Sequence, residues 1–314
     1  MRVNYNKNKK VILGSALLSF LVACAAWQPG EEFTHAPAVW SDDEQALGLV
    51  YEYFEFQETT THRKMRNISS EVYVMSTDGI YNSNQLTLDK NKATKVLPQQ
   101  TGDMSDLFYM RSQGYLVAGF QERLSTDLDA NGNRDLTATY YLARDDGSSH
   151  EILGKRTGPD MLSCGGTGSV SVPSPLVFVP SPDGTVIAMV EHEVTCDQIK
   201  ATLTFLDPQN QLPLSEPIEV NQDWEWDMPS RNYAWSNSGR FMILYQSPLG
   251  GYTGDSFAPD GSMEMVLTAE YHCIRDQTKS SQFNAAGHGI YVESGLDIVK
   301  LKTKPVKNRY SGCE

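Results

Sequence analysis

A strand, a tight turn and a second strand recur along this chain, and that element constrains the fold more than any other feature. The sharpest copy is Val177-Phe-Val-Pro-Ser-Pro-Asp-Gly-Thr-Val-Ile-Ala-Met-Val190. Pro182 presets φ for the turn, and Gly184 accepts the positive φ that closes it. Tyr233–Tyr245 repeats the element with Ser-Asn-Ser-Gly as its turn, and Val39–Val50 repeats it with Glu44 where glycine would sit. Asp106–Gly119 turns on Ser-Gln-Gly, and Phe283–Glu293 is a looser copy. Between these lie further short apolar alternations, among them Glu71–Ser76, Thr137–Ala143, Met263–Ala269 and Asp297–Lys302. Turns such as Ser76-Thr-Asp-Gly79, Arg144-Asp-Asp-Gly147 and Asp207-Pro-Gln-Asn210 separate them. Many short alternating strands joined by turn chemistry, with almost no helical period, predict an all-β fold.

The N-terminus carries an address. Basic residues (Arg2, Lys7, Lys9, Lys10) precede an apolar stretch from Val11 to Ala23. That stretch is too short to span a bilayer and suits a secretory signal. Its end, Leu21-Val22-Ala23-Cys24, resembles the lipobox of bacterial lipoproteins, in which cleavage falls before a cysteine that carries lipid. The alternative is an ordinary signal peptide with a chance cysteine. The resemblance implies a signal peptide at 1–23 and acyl chains, such as palmitate, on Cys24. Acylation with two or more chains holds firmly, at about 0.8 kcal/mol per buried methylene. Ala25 after the cysteine resembles lipoproteins sorted to the outer membrane of a two-membrane bacterium, facing the periplasm or the cell surface. Residues 24–38 then read as a tether.

The whole chain has 314 residues and a formal charge of −13. Removing the four basic residues of the signal, which contains no acid, takes the charge to −17. That balance argues against nucleic acid or anionic headgroups as main partners, which leaves the lipid as the membrane link. No other stretch approaches 18 apolar residues. At 40% hydrophobic residues the body can bury a core.

The recurring hairpins are similar to the propeller repeats of the TolB type, in which an F-S-P-D-G-x-x-I-A-F segment makes the inner hairpin of a blade. The resemblance covers roughly residues 36–302, with copies starting near 39, 107, 177, 233 and 283. It implies a β-propeller of five or six blades over residues 39–314. A β-sandwich built from common Asx turns is the alternative. The α/β domain that precedes the TolB propeller has no room here, so a Tol–Pal role is not implied.

Cys164, Cys196, Cys273 and Cys313 remain once Cys24 is set aside. An even count in an exported protein predicts disulfides with three open connectivities. Sequence neighbours are favoured: Cys164–Cys196 would clip the loop around Gly165, and Cys273–Cys313 would fasten the tail. Each loop closure is worth roughly 3–4 kcal/mol.

Asp127, Asp129, Asn131, Asn133 and Asp135 alternate around Gly132 as the oxygens of a hard-cation loop do. The pattern follows the first half of an EF-hand, but Ala138 stands where the bidentate glutamate belongs. It predicts a structural Ca2+ bound on a hairpin, against a plain Asn-Gly turn. Asp223-Trp-Glu-Trp-Asp227 offers acids and aromatics for a sugar or peptide, or tryptophans as packing. In Glu191-His192-Glu193, alternation buries one side chain and exposes two; the functional alternative is a catalytic base. Lys300, Lys302, Lys304, Lys307 and Arg309 suit an edge strand protected from pairing, or contact with a phosphate-rich glycolipid.

There is no nucleophile elbow, no H-E-x-x-H and no phosphate loop. The expectation is a non-catalytic, lipid-anchored platform for an unidentified envelope protein. The rivals are a glycan hydrolase or lyase with carboxylates in a central channel, and a calcium-dependent adhesive module.

Overall fold

The computed structural model describes residues 27–58, 63–83, 85–125, 127–165, 169–223, 232–236, 239–246, 252–266, 274–275, 288–293 and 298–303. The fold is all-β, as the alternation predicts, and among the described residues the strands form five antiparallel sheets. Sheet I is β1 (Gln28–Trp40), β2 (Ala46–Glu58), β3 (Arg63–Ser76) and β5 (Thr94–Thr101), side by side in that order. A short helix α1 (Ile80–Ser83) and strand β4 (Gln85–Thr87) leave this sheet between β3 and β5. Sheet II runs β6 (Asp103–Met110), β7 (Tyr115–Arg123), β8 (Arg134–Arg144), β9 (His150–Ser163) and β10 (Ser169–Ser171). Sheet III is β11 (Leu176–Pro180), β12 (Ile187–Val194), β13 (Gln198–Leu206) and β14 (Ile218–Asp223). Sheet IV is β15 (Asn232–Ser236), β16 (Phe241–Gln246), β17 (Tyr252–Phe257) and β18 (Met263–Val266), with β19 (Ile274–Arg275) beside β15. Sheet V joins β20 (His288–Glu293) and β21 (Ile298–Thr303) to β4.

Four of the recurring hairpins therefore do the same job. Those near 39, 107, 177 and 233 become β1–β2, β6–β7, β11–β12 and β15–β16, the opening pair of sheets I to IV. In the fifth, only β20 lies within the described residues.

Sheets I to IV pack face to face in chain order, and alternation explains how. Along β7, Leu116, Ala118 and Phe120 join Val39, Val50, Val72 and Leu97 of sheet I. The intervening Tyr115 and Val117 join Leu176, Phe178 and Ile187 of sheet III. The strand thus reads as an unbroken buried run because both of its faces are covered. In sheet III, Ala188 and Val190 turn the other way, onto Tyr233, Trp235, Phe241 and Ile243 of sheet IV. Phe178 is fully buried, with its ring 5.1 Å from that of Tyr140. Truncating a phenylalanine so placed costs about 3–5 kcal/mol.

Two expectations change. The segment read as a tether is strand from Gln28 onward: β1 pairs with β2 over Gln28–Thr34 and again at Val39 and Trp40, and it buries Phe33 and Ala38 within the tether span. Over Ile298–Lys300 the lysine-bearing strand β21 is not an edge, because β4 pairs with it there through Gln85–Thr87 while β20 takes its other side. A strand from more than two hundred residues earlier thus covers the part of the side that carries Lys300; Lys304, Lys307 and Arg309 lie outside the described residues.

Candidate functional site

The opening turns of sheets I to III meet at one end of the molecule. In the Ser181–Val186 turn, the Ser181 hydroxyl donates to Asp183 Oδ1 at 2.6 Å, and the Thr185 amide donates to the same oxygen at 3.1 Å. The Val186 amide donates to Ser181 Oγ at 3.0 Å, and Gly184 takes φ +67°. The Ser41–Ala46 turn repeats every bond: Ser41 to Asp43 at 2.6 Å, the Gln45 amide to Asp43 at 3.1 Å and the Ala46 amide to Ser41 at 3.0 Å. Glu44 occupies the glycine position at φ +61°. Burial would raise the carboxyls of Asp43 and Asp183, but these hydrogen bonds outweigh it and hold both below the ordinary range.

The turns are latched to one another across the sheets. Arg111 Nη1 donates to Asp43 Oδ2 at 2.8 Å, and the Ser112 amide donates to Asp42 Oδ1 at 3.0 Å. Gln113 Nε2 donates to the Asp183 carbonyl at 3.2 Å, and the buried Tyr115 hydroxyl donates to the Gly184 carbonyl at 2.8 Å. Trp235 Nε1 continues the series from sheet IV to the Val179 carbonyl at 3.1 Å.

At the opposite end, carboxylates gather between sheets I and II. Glu32 and Glu52 are direct cross-strand partners on β1 and β2, and Asp103 begins β6. Withdrawal from water, then the charges of Asp103 and Glu32, push the Glu52 carboxyl up to about 7. Deeper along β6, burial raises Asp106, opposed by the Tyr140 hydroxyl that donates to it at 2.5 Å. Arg123 and Arg134 converge on Asp160 at 3.2 and 2.8 Å, and Arg123 also reaches Asp103 at 3.4 Å. The result is an acid-lined inter-sheet edge in which one carboxyl can carry a proton near neutral pH.

The residues singled out by sequence are scattered relative to these two ends. His192 is 3% exposed, with Nδ1 2.6 Å from the Ser174 carbonyl and Nε2 against the Tyr233 hydroxyl. Glu191 and Glu193 share Arg156, at 2.5 and 3.2 Å. Alternation thus buries the histidine and leaves the two acids to a single guanidinium.

In the 127–135 loop, Asp129 Oδ1 accepts the amides of Asn131 and Asn133, both at 2.8 Å, and Asn133 Oδ1 accepts the Ser163 amide at 2.9 Å. Gly132 closes the turn at φ +82°. Among the described residues, no three His, Cys, Asp or Glu side chains are grouped to hold a metal ion. Asp129 Oδ1 and Asn133 Oδ1 thus accept backbone amides, and Asp135 lies within β8.

Cys164 and Cys196 form a disulfide with Cα atoms 5.4 Å apart. It ties the end of β9 to the β12–β13 turn and so links sheets II and III. Cys24, Cys273, Cys313 and the segment Trp224–Asp227 lie outside the described residues.

One cluster has no motif in the sequence. Lys90 Nζ sits 3.6 Å from the Tyr51 ring centroid and 5.0 Å from that of Tyr53, and it donates to the Tyr53 hydroxyl at 2.9 Å. Tyr53 and Tyr73 donate to Glu71 Oε2 at 2.9 and 2.7 Å, and Lys95 pairs with Glu71 Oε1 at 3.2 Å. These bonds outweigh burial and keep the Glu71 carboxyl low. The cluster pins the segment after β4 onto sheet I.

No family model matches this sequence, and no curated protein matches it.

Proposed function

We propose that the chain is a lipid-anchored β-propeller of the bacterial envelope that acts as a rigid, non-catalytic platform for another protein. One observation carries this reading: three successive sheets of four or five strands, each opened by a hairpin, latch turn to turn through Asp42, Asp43, Arg111, Gln113 and Asp183. Blades around an axis require their inner hairpins to meet in this way. The pairing of β4 with β21 adds support, since an early strand, lying in sequence between two strands of the first sheet, that completes the last sheet is how a ring is clasped. The stacked sheets of a sandwich would not need successive opening turns to touch.

The anchor reading rests on Leu21-Val22-Ala23-Cys24. Within it the 127–135 loop is a structural Ca2+ site, tested by calcium titration against melting temperature. The platform role is tested by pull-down from solubilised envelope: a reproducible partner above a lipobox-only control supports it, and none above that control overturns it.

A second reading has its own observation. Glu52, titrating near 7 beside Asp103, has the character of an acid–base pair for glycan cleavage. Hydrolysis or elimination of an envelope glycan by the native protein, abolished in Glu52→Gln, would favour it over the platform.

A further inference from the structure

We infer that the face of sheet I turned toward sheet II carries a binding site for a small primary ammonium, held by Glu52 and Ser70. The site goes beyond the platform and glycan readings and depends on neither. Glu32, Glu52 and Ser70 are direct cross-strand partners on β1, β2 and β3, so their side chains share one face. Val50 and Val72, two residues away on β2 and β3, lie on that same face and pack against Leu107, Leu116 and Phe120 of sheet II. The row therefore points into the gap between the two sheets.

Two polar groups in the row are unsatisfied. Ser70 is fully buried and its hydroxyl has no hydrogen-bond partner. A buried hydroxyl is costly to leave without one, so it marks a place for an incoming group. Beside it, Glu52 is drawn out of water, and no described group donates to its carboxylate. Gln100, next in the row, is already spent: it accepts from the Tyr141 hydroxyl at 2.6 Å and donates to the Pro98 carbonyl at 3.0 Å.

The surrounding charge is acidic. Glu32 adjoins Glu52, Asp103 begins β6, and Glu122 lies two residues past Phe120 on the same face of β7. Against these stand Arg123, divided between Asp103 and Asp160, and the exposed Lys155, which extends the Phe120–Thr139 row at the outer side of sheet II. Farther along β2 and β3, Glu55 and Arg66 neutralise each other. A metal ion fits poorly, because among the described residues no three His, Cys, Asp or Glu side chains are grouped to hold one. A primary ammonium fits better, since its three N–H donors serve separate acceptors, here Glu52 and Ser70 Oγ. Phe120 and the half-buried Met104, paired across β6 and β7, offer an apolar wall to a short alkyl stem. A proton on Glu52 and an ammonium beside it are then alternatives for the same positive charge.

The test titrates n-butylammonium chloride into the native protein by calorimetry. Tetramethylammonium chloride, which has no N–H, is the control at equal ionic strength. The expected result is one saturable site for butylammonium alone. Because Glu52 releases its proton at about 7, binding is strongest above about pH 8 and weakens about tenfold for each pH unit below 7. Exposed carboxylates stay ionised down to about pH 4 and would give no such slope. Glu52→Gln abolishes binding and Ser70→Ala weakens it about fivefold, with thermal unfolding of both variants confirming that they fold. An equal response to tetramethylammonium, binding that is constant from pH 8 to 5, or retention in Glu52→Gln overturns the inference. A blocked lysine dipeptide that binds more tightly than butylammonium overturns the small-molecule occupant.

Discussion

Replacing Glu52 with glutamine should make the protein more stable at neutral pH while changing little in mild acid. The carboxyl titrates at about 7 in the fold against 4.5 ordinarily. Because the folded value is the raised one, stability is complete below 4.5, where folded and unfolded chains both hold the proton. Between 4.5 and about 7 the unfolded chain releases it first, and stability falls with rising pH. At 1.36 kcal/mol per pH unit the gap sets a ceiling of about 3.4 kcal/mol. Glu52 is only partly withdrawn from water and Asp103 is exposed, so screening reduces the working figure to ~1–2 kcal/mol. Glutamine imitates the protonated acid at every pH. Urea unfolding of both proteins from pH 4.5 to 8 should therefore give a difference near zero at the acid end that grows to ~1–2 kcal/mol in favour of Glu52→Gln by pH 8. A difference that stays flat, or a variant less stable at pH 8, would refute the charge repulsion and desolvation assigned to this edge.

Three further outcomes follow from the geometry. Glu44→Gly relieves a side chain held at φ +61° and should raise stability by about 1 kcal/mol, read as an increase in melting temperature; a decrease would contradict the turn assignment. Cys196→Ser opens a crosslink spanning 32 residues and should cost ~3–4 kcal/mol in denaturant, with no loss in reducing buffer where both forms are already open. Asp129→Ala removes the acceptor of two backbone amides and should lower stability in denaturant by ~1–3 kcal/mol; added chelator should do the same to the native protein only if the loop also binds a cation.

The elements legible in the sequence are those whose causes are local. Ser181, Asp183 and Gly184 close their turn on themselves, so the turn can be read from six residues, and its copy at Ser41 survives with Glu44 in place of glycine. The Cys164–Cys196 pairing follows from proximity in the chain. Burial of His192 between two acids follows from strand alternation.

What was illegible has distant causes. Pro29, Pro37 and the acids Glu31 and Glu32 give β1 the composition of a tether, yet β2 supplies its hydrogen bonds and Tyr51 and Tyr73 cover Phe33. The perturbed carboxyl of Glu52 depends on Asp103, which meets it only when sheets I and II pack. Lys90 carries no motif because the tyrosines around it come from two other strands. The pairing of β21 was hidden because its neighbour β4 is three residues long and lies inside another sheet's span.

Closure of the sheets into a ring is most directly tested by two distances between spin labels at the opening turns. Labels at Gln45 and Thr185 report sheet I to sheet III, and labels at Gln45 and Gly239 report sheet I to sheet IV. In a ring of five, sheets III and IV are each two steps from sheet I, and the two distances should agree. In an open stack with ~10 Å between sheets, the second distance would be about one and a half times the first, and the propeller reading would be lost.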